Sequence, residues 1–290
     1  MAGNDSARSI APPRQPRGKD RSRFTRELAA CMAATGISPQ GSVLVVGGGV
    51  EDVQILASLG FQSLTLSNIG GLSRPIELPG VQLSTVDADV EDLNLPDNSY
   101  DLVLAHEVLH HCRSPHRALL EMYRVARGHV ILLEPNESRI MRLLVRLRLS
   151  FPYELPAVIA NGFVEGGVRN TCVPNYIHRW SPREMYQTLA AAGPQSPVKL
   201  YTRQFWDFNV GREELARRSQ TRIGSIVKLT GPGLLLAGLH TFQAIANRTP
   251  WLGRQGNKFF GCVTKSTGLW PWLSTQEGKI IFNRAFAARS

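Results

Sequence analysis

The chain has 290 residues, of which 43% are hydrophobic and 19% charged, a balance ordinary for a soluble globular protein. Its 33 Lys and Arg outnumber 23 Asp and Glu, giving a formal charge of +10 and an attraction to anionic partners such as nucleic acid, phospholipid surfaces or acidic substrates. Much of that charge is crowded at the N-terminus, in Arg8, Arg14, Arg17, Lys19, Arg21, Arg23 and Arg26 among Pro and Ser, so nucleic acid is not an expected partner and residues 1–22 are expected to be a disordered basic tail.

This tail lacks a continuous apolar stretch and is not a secretory signal. Cys31, Cys112, Cys172 and Cys262 form no CxxC pair, which points to a reduced, cytoplasmic compartment. Leu229–Asn247 carries no Asp, Glu, Lys or Arg, but Gly231, Pro232, Gly233, His240 and Gln243 argue against a membrane span.

In chain order, Arg23–Thr35 reads as a helix stopped by Gly36. Val43–Val46 is a strand apolar on both faces, as at the centre of a parallel sheet. Gly47, Gly48 and Gly49 then allow a tight turn with backbone N–H groups open to a ligand, and Glu51–Leu59 follows as a helix whose N-terminus faces that turn. Gln62–Ser67 and Val81–Val86 are further strands, separated by a Gly-, Pro- and Ser-rich loop. Tyr100–Ala105 is a fourth. Ser114-Pro115 opens a helix as N-cap and first residue, and His129–Leu133 is a fifth strand.

Asn136–Leu149 reads as an amphipathic helix with Arg139, Arg142 and Arg146 on its polar side. Residues 136–180 are otherwise irregular and read as a lid. Ser181-Pro182-Arg183-Glu184 starts a helix with a capping box. Val198–Phe205 and Lys258–Thr264 are two late strands, an antiparallel pair separated by a helical insertion at 207–256. Residues 266–290 form a C-terminal tail of no assigned structure. Strands alternating with helices give a parallel sheet whose ligands lie beyond the strands' carboxyl ends, where the Gly turn, Ser67, Asn68, Asp87, Asp89 and His106–His111 converge.

Several motifs in order carry a resemblance. VLVVGGG, DADVEDLNLPDNSYDLVLAHEVLHHC, SPHRALLEMYRVARGHVILLEPN and WSPREMYQTLAAAG together make residues 41–134, with the later helix, resemble a class I S-adenosylmethionine-dependent methyltransferase of the small-molecule and quinone-type subgroup. The resemblance implies an α/β fold: a Rossmann-like seven-stranded, mostly parallel sheet with helices on both faces, in one domain over 23–265, with the lid and the 207–256 insertion forming an acceptor pocket. It implies S-adenosylmethionine as cofactor, with S-adenosylhomocysteine as product. Gly47, Gly48 and Gly49 would approach its methionine part, Asp89 would accept from the adenine amino group beside Val90, and His106 would lie near the methyl.

Three positions depart from the family pattern. Val45 stands where an acid is usual, Glu51 where a third glycine is usual, and Ser67 and Asn68 where an acid grips the ribose. Asn68 can hydrogen-bond a hydroxyl but without charge, at roughly half the strength, and Glu51 can stand in for the missing acid. The activity expected is methyl transfer to a small-molecule acceptor at O, N or C, as in natural-product biosynthesis. His110, His111, His178 and Tyr176 are the candidates for acid–base work, and Arg169, Asn170, Tyr176 and Arg179 the candidates for holding an acceptor, an anionic one suiting the arginines.

Rival readings exist for the same residues. A nicotinamide dinucleotide site would need glycine where Asp52 stands, an acid that would repel a pyrophosphate. His106-Glu107-Val108-Leu109-His110 spells a zinc signature, with Glu134 as a third ligand, but it straddles a strand end rather than one helix, so no metal is expected. A non-catalytic scaffold with a weakened cofactor site, and a peripheral membrane enzyme acting on a lipid-like acceptor through the Arg139–Arg148 helix and Leu229–Ala246, stay open, as does oligomeric state.

Overall fold

The structure is a computed structural model that describes residues 20–71, 76, 78–208 and 231–287. The expected basic tail before residue 20, and part of the expected helical insertion, lie outside the described residues.

Seven strands form one sheet in the order β3-β2-β1-β4-β5-β7-β6, where β1 is Val43–Val46, β2 Ser63–Asn68, β3 Gln82–Asp87, β4 Tyr100–His106, β5 Ala126–Pro135, β6 Lys199–Phe205 and β7 Lys258–Thr264. Strands β1 to β5 are parallel, and β7 runs antiparallel to both β5 and β6. The seven-stranded, mostly parallel sheet expected from the sequence is thus present, and β6 and β7 are the antiparallel pair. All four residues of β1 are fully buried, as the run of Val and Leu requires of a strand covered on both faces.

Alternation along each strand divides the core in two. Val43, Val45, Leu64, Leu66, Leu102, Leu104 and Ile131 face a layer built on α1 (Asp20–Thr35) and α2 (Val50–Ser58), with Phe24 and Leu28 beneath them. Leu44, Val46, Val103, Ala105, Val130 and Leu132 face the other way, onto α3 (Pro115–Val125) and α6 (Pro182–Ala192). Gly36, at φ +74°, ends α1 in the left-handed conformation and donates its N–H to Met32 O at 2.9 Å. Ser114 caps α3 as expected, and Glu91 fixes the approach by accepting from the backbone N–H groups of Arg113 and Ser114.

Residues 136–180, expected as a lid, are more ordered than their composition suggests. They hold α4 (Arg139–Arg146), α5 (Leu155–Ala160) and a short 3-10 turn at Val168–Asn170. Helix α4 is shorter than the 136–149 reading because Ser138 caps it, accepting from Met141 N, and it leaves Leu143 and Leu147 exposed rather than packed. After β6 the chain departs and returns through α7 (Pro232–Arg248) and α8 (Pro250–Arg254) to β7.

Two asparagines close the neck of this excursion. Asn247 accepts from Trp206 N and donates to Trp206 O, and Asn257 does the same for Asp207, all at 2.8 Å. The C-terminal stretch, which carries no assigned structure from its residue pattern, forms a hairpin of β8 (Leu273–Gln276) and β9 (Lys279–Phe282), with Trp270 and Trp272 stacked beside it at 4.6 Å. No helix among the described residues is long and apolar enough to cross a membrane.

Candidate cofactor and acceptor site

Register places the expected cofactor residues along one rim. Val46 at the end of β1 sits opposite Ser67 on β2 and Ala105 on β4, and Asn68 at the end of β2 sits opposite Asp87 on β3. Gly47–Gly49, Ser67, Asn68, Asp89 and His106 therefore line the carboxyl ends of four adjacent parallel strands, the place where open α/β sheets take ligands.

The three glycines of the turn do different work. Gly47 holds φ +61°, and a Cβ there would meet Val108 Cγ1 at 2.6 Å. At Gly48 a Cβ would meet Val45 Cγ1 at 2.4 Å. Both are needed by the protein's own packing. At Gly49 a Cβ would meet nothing within 4 Å, so this is the turn's open side, where a ligand can approach bare backbone.

Asp52, which counted against a dinucleotide, has a structural task. Its Oδ2 accepts from Gly49 N at 2.9 Å, capping α2, while its Oδ1 lies 2.8 Å from Nδ1 of His106. His106 also stacks on Phe24, with ring centroids 4.2 Å apart. An ionised Asp52 makes Nδ1 the donor and leaves Nε2 as the nitrogen able to accept. An acid three residues after a helix N-cap was the available signal for this bond; its reach to His106 had none.

At the β2 and β3 ends, the Asn68 side-chain amide donates to Gly48 O at 2.8 Å, which ties β2 to the glycine turn. Ser67 Oγ is buried with no hydrogen-bond partner. Asp89 accepts from Glu91 N and pairs with Arg169 of the lid at 2.7 Å. Val90 is buried beside it. A polar cleft of about 430 Å³ opens here, lined by Asp89, Glu91, Asp92, Arg113, Arg117 and Arg169.

Beyond β4 the chain makes a 3-10 turn at Leu109–His111 around Glu134, a fully buried acid near the end of β5. Glu134 Oε1 accepts from Val108 N and Leu109 N at 2.8 and 2.7 Å, and its Oε2 lies 2.7 Å from His110 Nδ1. Burial alone would push the Glu134 carboxyl up and the His110 imidazole down. Their mutual charge and hydrogen bond outweigh it, so Glu134 is lowered and His110 raised. His111, its ring 4.3 Å from that of His110, is pushed down to about 4 by burial and by its neighbour.

The remaining candidates separate into groups. Asn175 of the lid donates to His110 O at 2.6 Å and so seats the lid on this turn. Tyr176 is 60% exposed and meets Tyr153 edge-on. Asn170 bonds within its own loop, to Gly166 N and Glu165. Arg179 donates to Ile177 O and Phe151 O, bracing the lid, and does not take Glu184 as partner. His178 lies with His116 against Glu184, apart from the Glu134–His110 pair. The zinc signature does not form: His106 turns to Asp52 and His110 to Glu134, because a strand end and a 3-10 turn do not place them one helical turn apart.

Residues 70–133 match a family profile described as a methyltransferase domain. No curated protein matches the chain in sequence. Among solved structures, the chain is similar to magnesium protoporphyrin IX methyltransferase from Synechocystis PCC 6803, solved with bound SAH (14% identity, TM-score 0.46, covering 85% of this chain and 84% of that one). It is also similar to a SAM-dependent methyltransferase from Thermotoga maritima (14% identity, TM-score 0.41, covering 85% of this chain and 94% of that one). At such values no activity transfers from either. The matched segment runs from the loop after β2 into β5, within the seven-stranded, mostly parallel sheet whose β7 is reversed.

Proposed function

We propose that this chain transfers a methyl group from S-adenosylmethionine to a small-molecule acceptor held under the lid. The observation that carries the reading is the open side of Gly49 on the same strand-end rim as Ser67, Asn68, Asp89 and His106, in a chain whose residues 70–133 match a methyltransferase domain. The orphaned Ser67 hydroxyl is a further donor buried on that rim.

In this reading the cofactor supplies an electrophilic methyl on a positively charged sulfur. Asp89 accepts from the adenine amino group, Val90 covers the base, Ser67 and Asn68 take the ribose hydroxyls, and Glu51 supplies the negative charge that Val45 lacks. Direct displacement would then need only that the acceptor's lone pair be held in line with the carbon–sulfur bond, the sulfur leaving as a neutral thioether. The protein's part is alignment and exclusion of water.

Of the histidines, His110 suits the acceptor's proton best. Glu134 holds its Nδ1, which leaves Nε2 to accept, and the raised basicity favours proton uptake. Calorimetric titration with S-adenosylhomocysteine tests the reading; absence of heat and of thermal shift would remove it.

A second reading, a non-catalytic scaffold, draws on the Asn68 amide being already engaged by Gly48 O. Cofactor binding with no methyl transfer to any acceptor would favour it.

A further inference from the structure

We propose that His116, His178 and Glu184 form a binding site for one divalent transition-metal ion of the zinc class, brought together from two stretches far apart in the chain. His116 is the second residue of α3, Glu184 lies in the first turn of α6, and His178 ends the lid. His116 Nε2 lies 3.0 Å, and His178 Nε2 3.1 Å, from the same atom, Glu184 Oε1. All three ligand atoms lie within 4.8 Å of one another.

One carboxylate oxygen can accept from two imidazoles, but here only one of the two meets the geometry. His116 fulfils the geometry. His178 Nε2 does not, and remains a buried nitrogen with no hydrogen-bond partner, aimed into the cluster. An ion among the three would satisfy it. Zinc takes histidine nitrogen and carboxylate oxygen at about 2.0–2.2 Å, which spaces tetrahedral ligands about 3.3 Å apart, a few tenths of an ångström from the two nitrogen-to-oxygen separations.

The surroundings favour ligation over an ordinary surface contact. Both imidazoles pack on the fully buried indole of Trp180, at 5.0 and 4.9 Å between centroids, so neither ring is free to swing away. Glu184 is the third residue of α6, where a capping box would turn its carboxylate back to the Ser181 N–H. Ser181 Oγ does accept from Glu184 N, but the carboxylate points to the histidines instead.

Two imidazoles and a carboxylate are a donor set for zinc, or for iron, cobalt or nickel in the same charge state, and not for calcium or magnesium. Side-chain exposures of 44% for His116, 24% for His178 and 29% for Glu184 leave one side of the cluster open to water or a small ligand. Because the ligands come from α3, α6 and the end of the lid, the ion would staple the lid to the body of the domain.

The test uses the full, untagged chain, stripped with a chelator and titrated with Co²⁺, then with Zn²⁺. Expected is one equivalent of Co²⁺ giving the visible absorption of a low-coordinate nitrogen and oxygen site, its displacement by Zn²⁺, and a higher melting temperature with saturating Zn²⁺. H116A and H178A should each weaken Zn²⁺ binding by at least about tenfold, while H240A, on the exposed face of α7, leaves it unchanged. Lack of saturable micromolar binding in the unmodified chain, or binding that survives in the H116A/H178A double variant, would overturn the proposal. Neither outcome depends on whether the chain binds S-adenosylmethionine.

Discussion

Arg169 of the lid pairs with Asp89, just beyond β3, at 2.7 Å, so the acid assigned to the adenine amino group also tethers the lid. The tether is made from two consecutive non-glycine residues in the left-handed region, Arg169 at φ +50° and Asn170 at φ +58°. A backbone so placed is held by its surroundings, and this ion pair is one of the holds.

Asp89→Ala and Arg169→Ala should therefore behave differently. Asp89→Ala is expected to weaken S-adenosylhomocysteine binding by at least about tenfold, the worth of one hydrogen bond to a carboxylate. Arg169→Ala should keep most of that affinity while opening residues 161–175 to faster limited proteolysis. Calorimetry and a protease time course on both variants check this. Equal loss of affinity in the two would mean that the pair acts as one unit.

The glycine turn gives a sharper contrast. Gly48→Ala drives a Cβ to 2.4 Å from Val45 Cγ1 in a packed core, and should cost about 1–3 kcal/mol of stability. Gly49→Ala meets nothing in the protein and sits in extended backbone at φ −131°, so it should lose only the modest worth of a glycine N-cap on α2, about 1 kcal/mol or less. Its cofactor affinity should fall, because the added methyl occupies the open side. Melting curves should therefore single out Gly48→Ala, and cofactor titrations Gly49→Ala.

The Glu134–His110 pair makes stability depend on pH from both sides. Glu134 is lowered, so its contribution is complete above the ordinary carboxylate pKa and disappears as pH falls through the lowered value. His110 is raised, so its contribution is complete below the ordinary imidazole pKa and disappears as pH rises through the raised value. The pair should stabilise most between those two ordinary values. Glu134→Gln should flatten the profile and cost about 3 kcal/mol by leaving a buried partner uncompensated. Urea denaturation across pH measures both effects.

If His110 takes the acceptor's proton, kcat/KM should rise with pH along a limb set above the ordinary imidazole value, because the base works unprotonated. His110→Asn should lower kcat and abolish that limb. An unaltered limb in the variant would assign it to another group, such as His106.

The sheet was legible because its strands write their burial into their composition. Val43–Val46 can only be a central strand, and the Ser114-Pro115 start of α3 is local chemistry that tertiary packing does not override. What stayed hidden were polar contacts between residues distant in sequence. Asp52 meets His106 across 54 residues and His116 meets Glu184 across 68, and no pattern of residue types reports such a meeting. Glu134 did carry a signal, an acid closing an otherwise apolar strand, but the pattern does not say that it holds the turn beyond β4. The β8–β9 hairpin is hidden in the sequence because aromatic and basic residues mask its alternation, and two short strands carry little pattern.

The paired amides of Asn247 and Asn257 stand in for a strand that would otherwise have to extend the β6–β7 ladder. Each amide holds both backbone groups of one residue just beyond β6, and together they fix the point at which α7 and α8 return to β7. Removing either amide would leave a backbone N–H and C=O unpaired where the excursion rejoins the sheet, and the ends of β6 and β7 would fray from that point.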